Sequence, residues 1–168
     1  MSDVSTREFV IVRWFDAPRE FVFKAWTEPA LMAQWWGPKR FTNPVCDMDV
    51  RPGGAYRIVM RSPDGIDYPM NGVYREVVAP ERLAYTVDIS EHPADWHNLL
   101  AKHLEGRPAD ISKPLLFTVS FDEEAKRTKV TIRAAFDSEN LRDAFVKMGM
   151  EPGWSQSLDK LAELLHRA

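Results

Sequence analysis

Residues 55–89 read AYRIVMRSPDGIDYPMNGVYREVVAPERLAYTVDI, and their period decides the fold class. Tyr56, Ile58 and Met60 alternate with Arg57, Val59 and Arg61, the two-residue period of a half-buried strand. Ser62-Pro63-Asp64-Gly65 follows, where proline presets φ and glycine admits φ > 0, as a hairpin turn requires. Tyr68, Met70, Gly72 and Tyr74 form the next inward set. After Ala79-Pro80-Glu81, Leu83, Tyr85, Val87 and Ile89 share one face, and Ala84, Thr86 and Asp88 the other. Consecutive strands joined by short turns pair antiparallel, and their apolar face must be covered.

The same period extends in both directions. Upstream, from about residue 41, Cys46, Met48 and Val50 alternate with Asp47 and Asp49 and end at the turn Arg51-Pro52-Gly53-Gly54. Downstream, Leu115, Phe117, Val119 and Phe121 alternate with Thr118, Ser120 and Asp122. A turn near 123–126 leads to Val130, Ile132, Ala134 and Phe136, which alternate with Lys129, Thr131 and Arg133. Residues 8–15 (EFVIVRWF) read as a first strand. Asp16-Ala17-Pro18 reads as a helix entry with the proline at the first helical position, and Phe21, Val22, Ala25 and Trp26 follow at helical spacing. Glu28-Pro29 restarts a second short helix that runs to Trp35 and Trp36 and stops at Gly37-Pro38.

The cover for the sheet lies at the C-terminus. Ser138 caps a helix through Met148, Gly149 breaks it, and Glu151-Pro152 restarts it. Along this segment Trp154, Leu158, Leu161 and Leu165 recur at i, i+4, i+7 and i+11, one stripe of an amphipathic helix. The expected architecture is α+β: a seven-stranded curved antiparallel sheet wrapped around a long C-terminal helix, with two short helices after the first strand, in a single domain over residues 1–168. An insertion at 90–114 interrupts the strands. His92-Pro93-Ala94-Asp95 opens a helix carrying Trp96, Leu99, Leu100, His103 and Leu104 on one side and closed by Gly106. Placed between two hairpin strands, it falls at one end of the sheet, as a lid over a site, a surface ornament or a dimer contact.

Composition sets outer bounds. With 45% hydrophobic and 28% charged residues the chain is globular, and no apolar run is long enough to span a membrane. The start, MSDVSTREFVIVRW, lacks the basic region, apolar stretch and small-residue cleavage site of a secretory leader. A single cysteine, Cys46, has no internal partner and suits a reducing compartment, so a cytoplasmic location is expected. The net charge is −3 with both signs interspersed, which gives no basic face for nucleic acid.

Four stretches together, DAPREFVFKAWTEPALMAQWWGP, DVRPGGAYRIVM, DGIDYPMNGVYREVVAPERLAYT and GMEPGWSQSLDKLAELL, resemble the START-like (SRPBCC) superfamily. The resemblance is to the branch named after activators of the heat-shock chaperone ATPase, in its short bacterial form, and runs from Phe9 to Leu165. It implies a helix-grip fold in which the segment Ser138–His166 lies across a concave sheet and leaves a deep cavity. It also implies apolar ligand binding, with some members acting as cyclases, hydrolases or chaperone regulators. The helical insertion departs from the family pattern. The chaperone-binding domain that precedes this one in the activators does not precede the first strand here, so chaperone activation is not expected.

The inward-facing set supplies the candidate ligand contacts: Trp35, Trp36, Tyr56, Met60, Tyr68, Met70, Tyr74, Tyr85, Phe117, Phe121, Met148, Trp154 and Leu158, with Met150 beside them. Rings offer flat contact area and methionines fill irregular gaps; the same residues also serve as plain core. Of the adjacent Trp35 and Trp36, one is expected to be buried and the other to rim the opening. Gly72, on the apolar face, marks a bend or a close approach to the backbone, with the bend favoured. Glu76 shares the parity of Tyr74 and is the one candidate inner acid, unless it pairs with Arg75 or Arg82 where the strand ends.

His92, His97 and His103 are spaced five and six apart, which does not place two of them on one helix face, and no metal is expected. His103 is expected on the apolar side of its helix and His97 in solvent. Cys46 suits an inert buried thiol, and no phosphate-binding glycine loop or other cofactor motif is present. Arg13 shares a face with Phe9, Ile11 and Phe15, either at a solvated edge or paired with a carboxylate. The leading expectation is a non-catalytic binder of a small hydrophobic or aromatic molecule. The alternatives are a cyclase, dehydratase or hydrolase on a polyketide-like substrate, and a protein-interaction or chaperone-regulating module. Homodimerisation through exposed tryptophans or the insertion is left open.

Overall fold

Strands β1 (Glu8–Phe15), β2 (Thr42–Met48), β3 (Ala55–Arg61), β4 (Asp67–Val78), β5 (Arg82–Val87), β6 (Leu115–Glu124) and β7 (Arg127–Ala135) form one antiparallel sheet in the order β1-β7-β6-β5-β4-β3-β2. The structure, a computed structural model, describes residues 6–107, 109 and 112–167. Residues 1–5, part of the stretch read for a leader, and residues 108, 110 and 111 of the insertion lie outside the described residues, as does residue 168. The sheet is open, with β1 and β2 at its edges. Pro44 sits in β2 where the register to β3 shifts between Thr42 and Val45. A residue without an N–H is tolerated at such an edge and discourages pairing with another chain.

Five helices are described: α1 (Arg19–Thr27), α2 (Pro29–Trp35), α3 (Ala94–Leu104), α4 (Glu139–Lys147) and α5 (Met150–Arg167). Pro18 is the cap of α1 rather than its first residue, in extended conformation and with no side-chain cap of its own. The cap comes instead from across the fold, where Glu123 Oε1 at the end of β6 accepts from Arg19 N at 3.0 Å. Ser138 does cap α4, its hydroxyl accepting from Leu141 N at 3.2 Å. The C-terminal segment is two helices, because Gly149 takes φ +93° and reverses the backbone twist between them.

Gly72 marks a close approach rather than the favoured bend, and what approaches is a neighbouring ring. Gly72 faces Tyr56 across the β3–β4 ladder. A Cβ there would collide with the Thr86 carbonyl and stand 2.6 Å from Tyr56 Cε1. Tyr56 crosses over Gly72 and donates its hydroxyl to Thr86 O, while Thr86 Oγ1 accepts from Val73 N at 3.0 Å. Side-chain bonds thus replace ladder bonds where β4 and β5 separate, and the missing Cβ makes room for the ring. A second irregularity, between Tyr74 and Glu76, turns Glu76 off the inner face. It pairs with Arg82 at 3.2 Å, half-exposed, and Val77 packs against the core instead.

Gly72→Ala should destabilise the fold by about 3 kcal/mol, the upper end of overpacking costs, because the collision includes backbone. Urea unfolding checks it; a loss below about 0.5 kcal/mol would mean that the Tyr56–Gly72 contact is slack.

Candidate ligand cavity

The position of α5 is set by polar contacts rather than by its apolar stripe alone. Ser157, buried in that stripe, donates to Trp35 O at 3.0 Å and accepts from Gly37 N at 3.1 Å. Lys160 Nζ reaches Trp36 O at 3.4 Å and Pro38 O at 3.2 Å, a cation on the carbonyl end of α2. Arg13 pairs with Asp159 at 2.9 Å and donates to Ser155 Oγ at 3.1 Å. The charge on β1 is therefore a partner for α5, not a solvated edge.

Between this helix and the sheet lies a cavity of about 270 Å³. The sheet contributes Met60, Met70, Tyr85, Val87, Leu115 and Phe117, with Ile89 just beyond β5. The bend between α4 and α5 contributes Phe145, Met148, Gly149, Met150, Gly153, Trp154 and Ser157. Trp36, Gly37 and Pro38 close one side, and Trp96 of α3 another. Among the described lining residues there is no carboxylate, imidazole, amine or thiol. The Ser157 hydroxyl is already in use, which leaves the Tyr85 hydroxyl and the indole N–H groups of Trp36, Trp96 and Trp154 as the polar groups of the lining side chains.

The structure brings together Trp36, Met60, Met70, Tyr85, Phe117, Met148 and Trp154 of the expected set, along with Met150. It sends the others elsewhere. Trp35 and Phe121 are fully buried at the opposite end of the concave face, where Trp26 packs on Trp35 (4.5 Å between centroids) and Phe121 (5.5 Å). Trp35 Nε1 donates to Ala25 O at 2.9 Å. Leu158 is core under α5. Tyr68 leaves the cavity for Phe41 and His92. Tyr56 and Tyr74 border a second void, of about 10 Å³, which shares Trp36, Met70 and Tyr85 with the cavity. Parity names a face, but Phe117 and Phe121 on one face stand roughly 13 Å apart along the strand. Glu76, off the inner face, borders neither space.

Among the lining residues outside the expected set are Val87, Ile89, Leu115, Phe145, Trp96 and Ser157. Trp96 had a signal, since it lies on the apolar side of the insertion helix. That helix buries Leu100 but leaves Leu99 43% exposed, because α3 rests on α4 along a narrow stripe. His97 is not solvent-facing; its ring stands edge-on to Trp96 and its Nε2 is covered. His92 lies edge-on to Trp96 (4.8 Å) and Tyr68 (5.5 Å), with neither nitrogen hydrogen-bonded. Burial, and then His97, push its pKa down to about 4. Burial, and then Asp47, push the Cys46 thiol up to about 11, which keeps it protonated and a poor nucleophile. No group of three His, Cys, Asp or Glu among the described residues is placed to hold a metal.

A sequence model of the family described as Activator of Hsp90 ATPase homolog 1-like protein matches residues 16–166. The chain belongs to this family. Solved structures carry the same helix-grip fold. A Nitrosomonas europaea protein is 25% identical with a TM-score of 0.80, covering 98% of this chain and 97% of its own. An Arthrobacter aurescens protein is 25% identical with a TM-score of 0.79, over 100% and 91%. The Silicibacter pomeroyi family member, 23% identical, has a TM-score of 0.72 over 95% and 97%. No curated protein matches the chain significantly. No helix among the described residues is long and apolar enough to cross a membrane.

His92 yields a pH prediction for this family member. Its folded pKa lies below the ordinary 6.5, so the unfolded chain binds more protons between about pH 6.5 and 4. Its contribution is present above pH 6.5 and lost as pH falls toward 4. The loss should be about 1–2 kcal/mol, the ring being part-buried. His92→Phe keeps a ring against Trp96 and should reduce the fall in urea midpoint between pH 7 and 4.5; an unchanged fall assigns it to other groups.

Proposed function

We propose that this protein binds a compact apolar molecule in the cavity between the sheet and α5, as a carrier, sequestering protein or sensor. The supporting observation is the lining: uncharged and mostly apolar, its polar side-chain groups being three indole N–H groups and two hydroxyls, one of the hydroxyls already bonded on both sides. A dry void of 270 Å³ would cost at most about 6.5 kcal/mol at roughly 24 cal/mol per Å³. An apolar wall gives water few partners, so an apolar guest relieves that cost best. Methionines from both sides, Met60 and Met70 opposite Met148 and Met150, adapt the walls to a guest of irregular outline. A cyclase or hydrolase would need a proton-transfer group at the guest; of the candidates for that role, Glu76 is paired with Arg82 away from the cavity, and the Tyr85 hydroxyl, held protonated by burial, is the one that reaches it.

Trp36, Trp96 and Trp154 border the cavity, so tryptophan fluorescence reports its occupancy. Native mass spectrometry of freshly purified protein should show a retained small molecule, and apolar compounds should shift the emission with a Kd of about 1–100 µM. Gly153→Leu extends a side chain from the first turns of α5, beside Pro38 in the cavity wall, and should weaken binding about tenfold or more without unfolding the protein. Arg127→Ala, over Trp14 on the far edge, should leave binding unchanged. Equal affinity in the Gly153 variant and the wild type would sink the cavity as the ligand site.

A further inference from the structure

Hydrogen bonding among the buried side chains fails to close at two atoms that stand together. Trp26 Nε1 and Tyr85 Oη are buried and neither has a hydrogen-bond partner, on side chains that are 1% and 4% exposed. Burial, and then Tyr74, push the Tyr85 pKa up, with the Trp26 N–H as the opposing influence. The indole N–H is near enough to act on the phenol oxygen, but the two do not meet as a hydrogen bond. Tyr85 keeps its proton and has no acceptor for it. The Tyr56 hydroxyl donates to Thr86 O, and its oxygen does not accept from Tyr85. A buried donor left unmade costs about 1–3 kcal/mol, and such groups call for a specific reason.

Both side chains border the void of about 10 Å³, room for roughly one water or one ligand oxygen. Trp36, Met70 and Tyr85 stand between that void and the main cavity, and the unbranched thioether of Met70 is the adaptable part of the partition.

We propose that Tyr85 and Trp26 form a two-donor polar subsite at the inner end of the apolar cavity, and that the ligand is a compact apolar molecule carrying one hydrogen-bond-accepting oxygen, a ketone or ester carbonyl, that enters it. This rests on the cavity being the ligand site. A carbonyl oxygen has two lone pairs for two donors. A carboxylate does not suit, because neither space is bordered by a cation among the described residues and a buried unpaired charge is costly. A hydrocarbon leaves both donors unmade, and a site built to bond an oxygen discriminates against the analogue that lacks it.

The test uses 2-acetylnaphthalene and 2-isopropylnaphthalene, nearly equal in shape, titrated into wild type and Tyr85→Phe. The substitution removes only a hydroxyl with no partner, so the fold persists. It should weaken the ketone five- to tenfold, about one hydrogen bond, and leave the hydrocarbon within twofold. The carbonyl stretch of the bound ketone should lie at lower wavenumber in wild type than in the variant. If both probes bind and the variant changes neither affinity, or changes both alike, the subsite is wrong and the cavity stands; a water held in the void would have that effect. If neither probe binds wild type, the cavity and the subsite fall together.

Discussion

The cavity depends on the Ser157 hydroxyl. By donating to Trp35 O and accepting from Gly37 N, it holds one helical turn of α5 against the end of α2. Lys160 and Arg13 fix the turns beside it. Were α5 held by apolar contact alone, it would settle into the concave sheet until the space was filled, since hydrophobic attraction has no direction and packing favours density. Hydrogen bonds have direction and length. They stop the helix at a fixed depth, and the Gly149 reversal turns α4 away from α5's line. The space left at that bend is the cavity.

The concave face is consequently divided in two. At one end Trp26, Trp35, Phe23 and Phe121 pack ring against ring under α1 and α2, and of these four only Trp26 borders the small void. At the other end the rings of Trp36, Phe117 and Trp154 line a space bounded by methionines. A close-packed core behind the walls of this space resists their collapse. Tyr85 stands at the junction, stacked on Phe117 on the cavity side and bordering the small void with Trp26 on the core side.

The insertion helix takes part in this arrangement through Trp96, which lines the cavity and also touches Phe145 of α4 and His92. One residue thus couples α3, α4 and the cavity wall. His92 is held neutral where its protonation would place a charge against aromatic edges.

The strand period over residues 55–89 and 115–136, the helix stops at Gly37 and Gly149, and the Ser138 cap were all legible in the sequence, because each depends on residues adjacent in the chain. The inward face was legible too, and with it Met60, Met70, Phe117, Met148 and Trp154. Tertiary structure alone decided which inward residues meet the cavity and which, like Phe121 and Trp35, fill the far core, since parity has no coordinate along the strand. It alone supplied the Glu123 cap on α1, the shift that turns Glu76 outward, and the unpaired meeting of Tyr85 with Trp26. The physical reason is the same in each case. Period and turn chemistry are set by local sterics, whereas a cavity and an unmet hydrogen bond exist only between groups that folding brings together from distant parts of the chain.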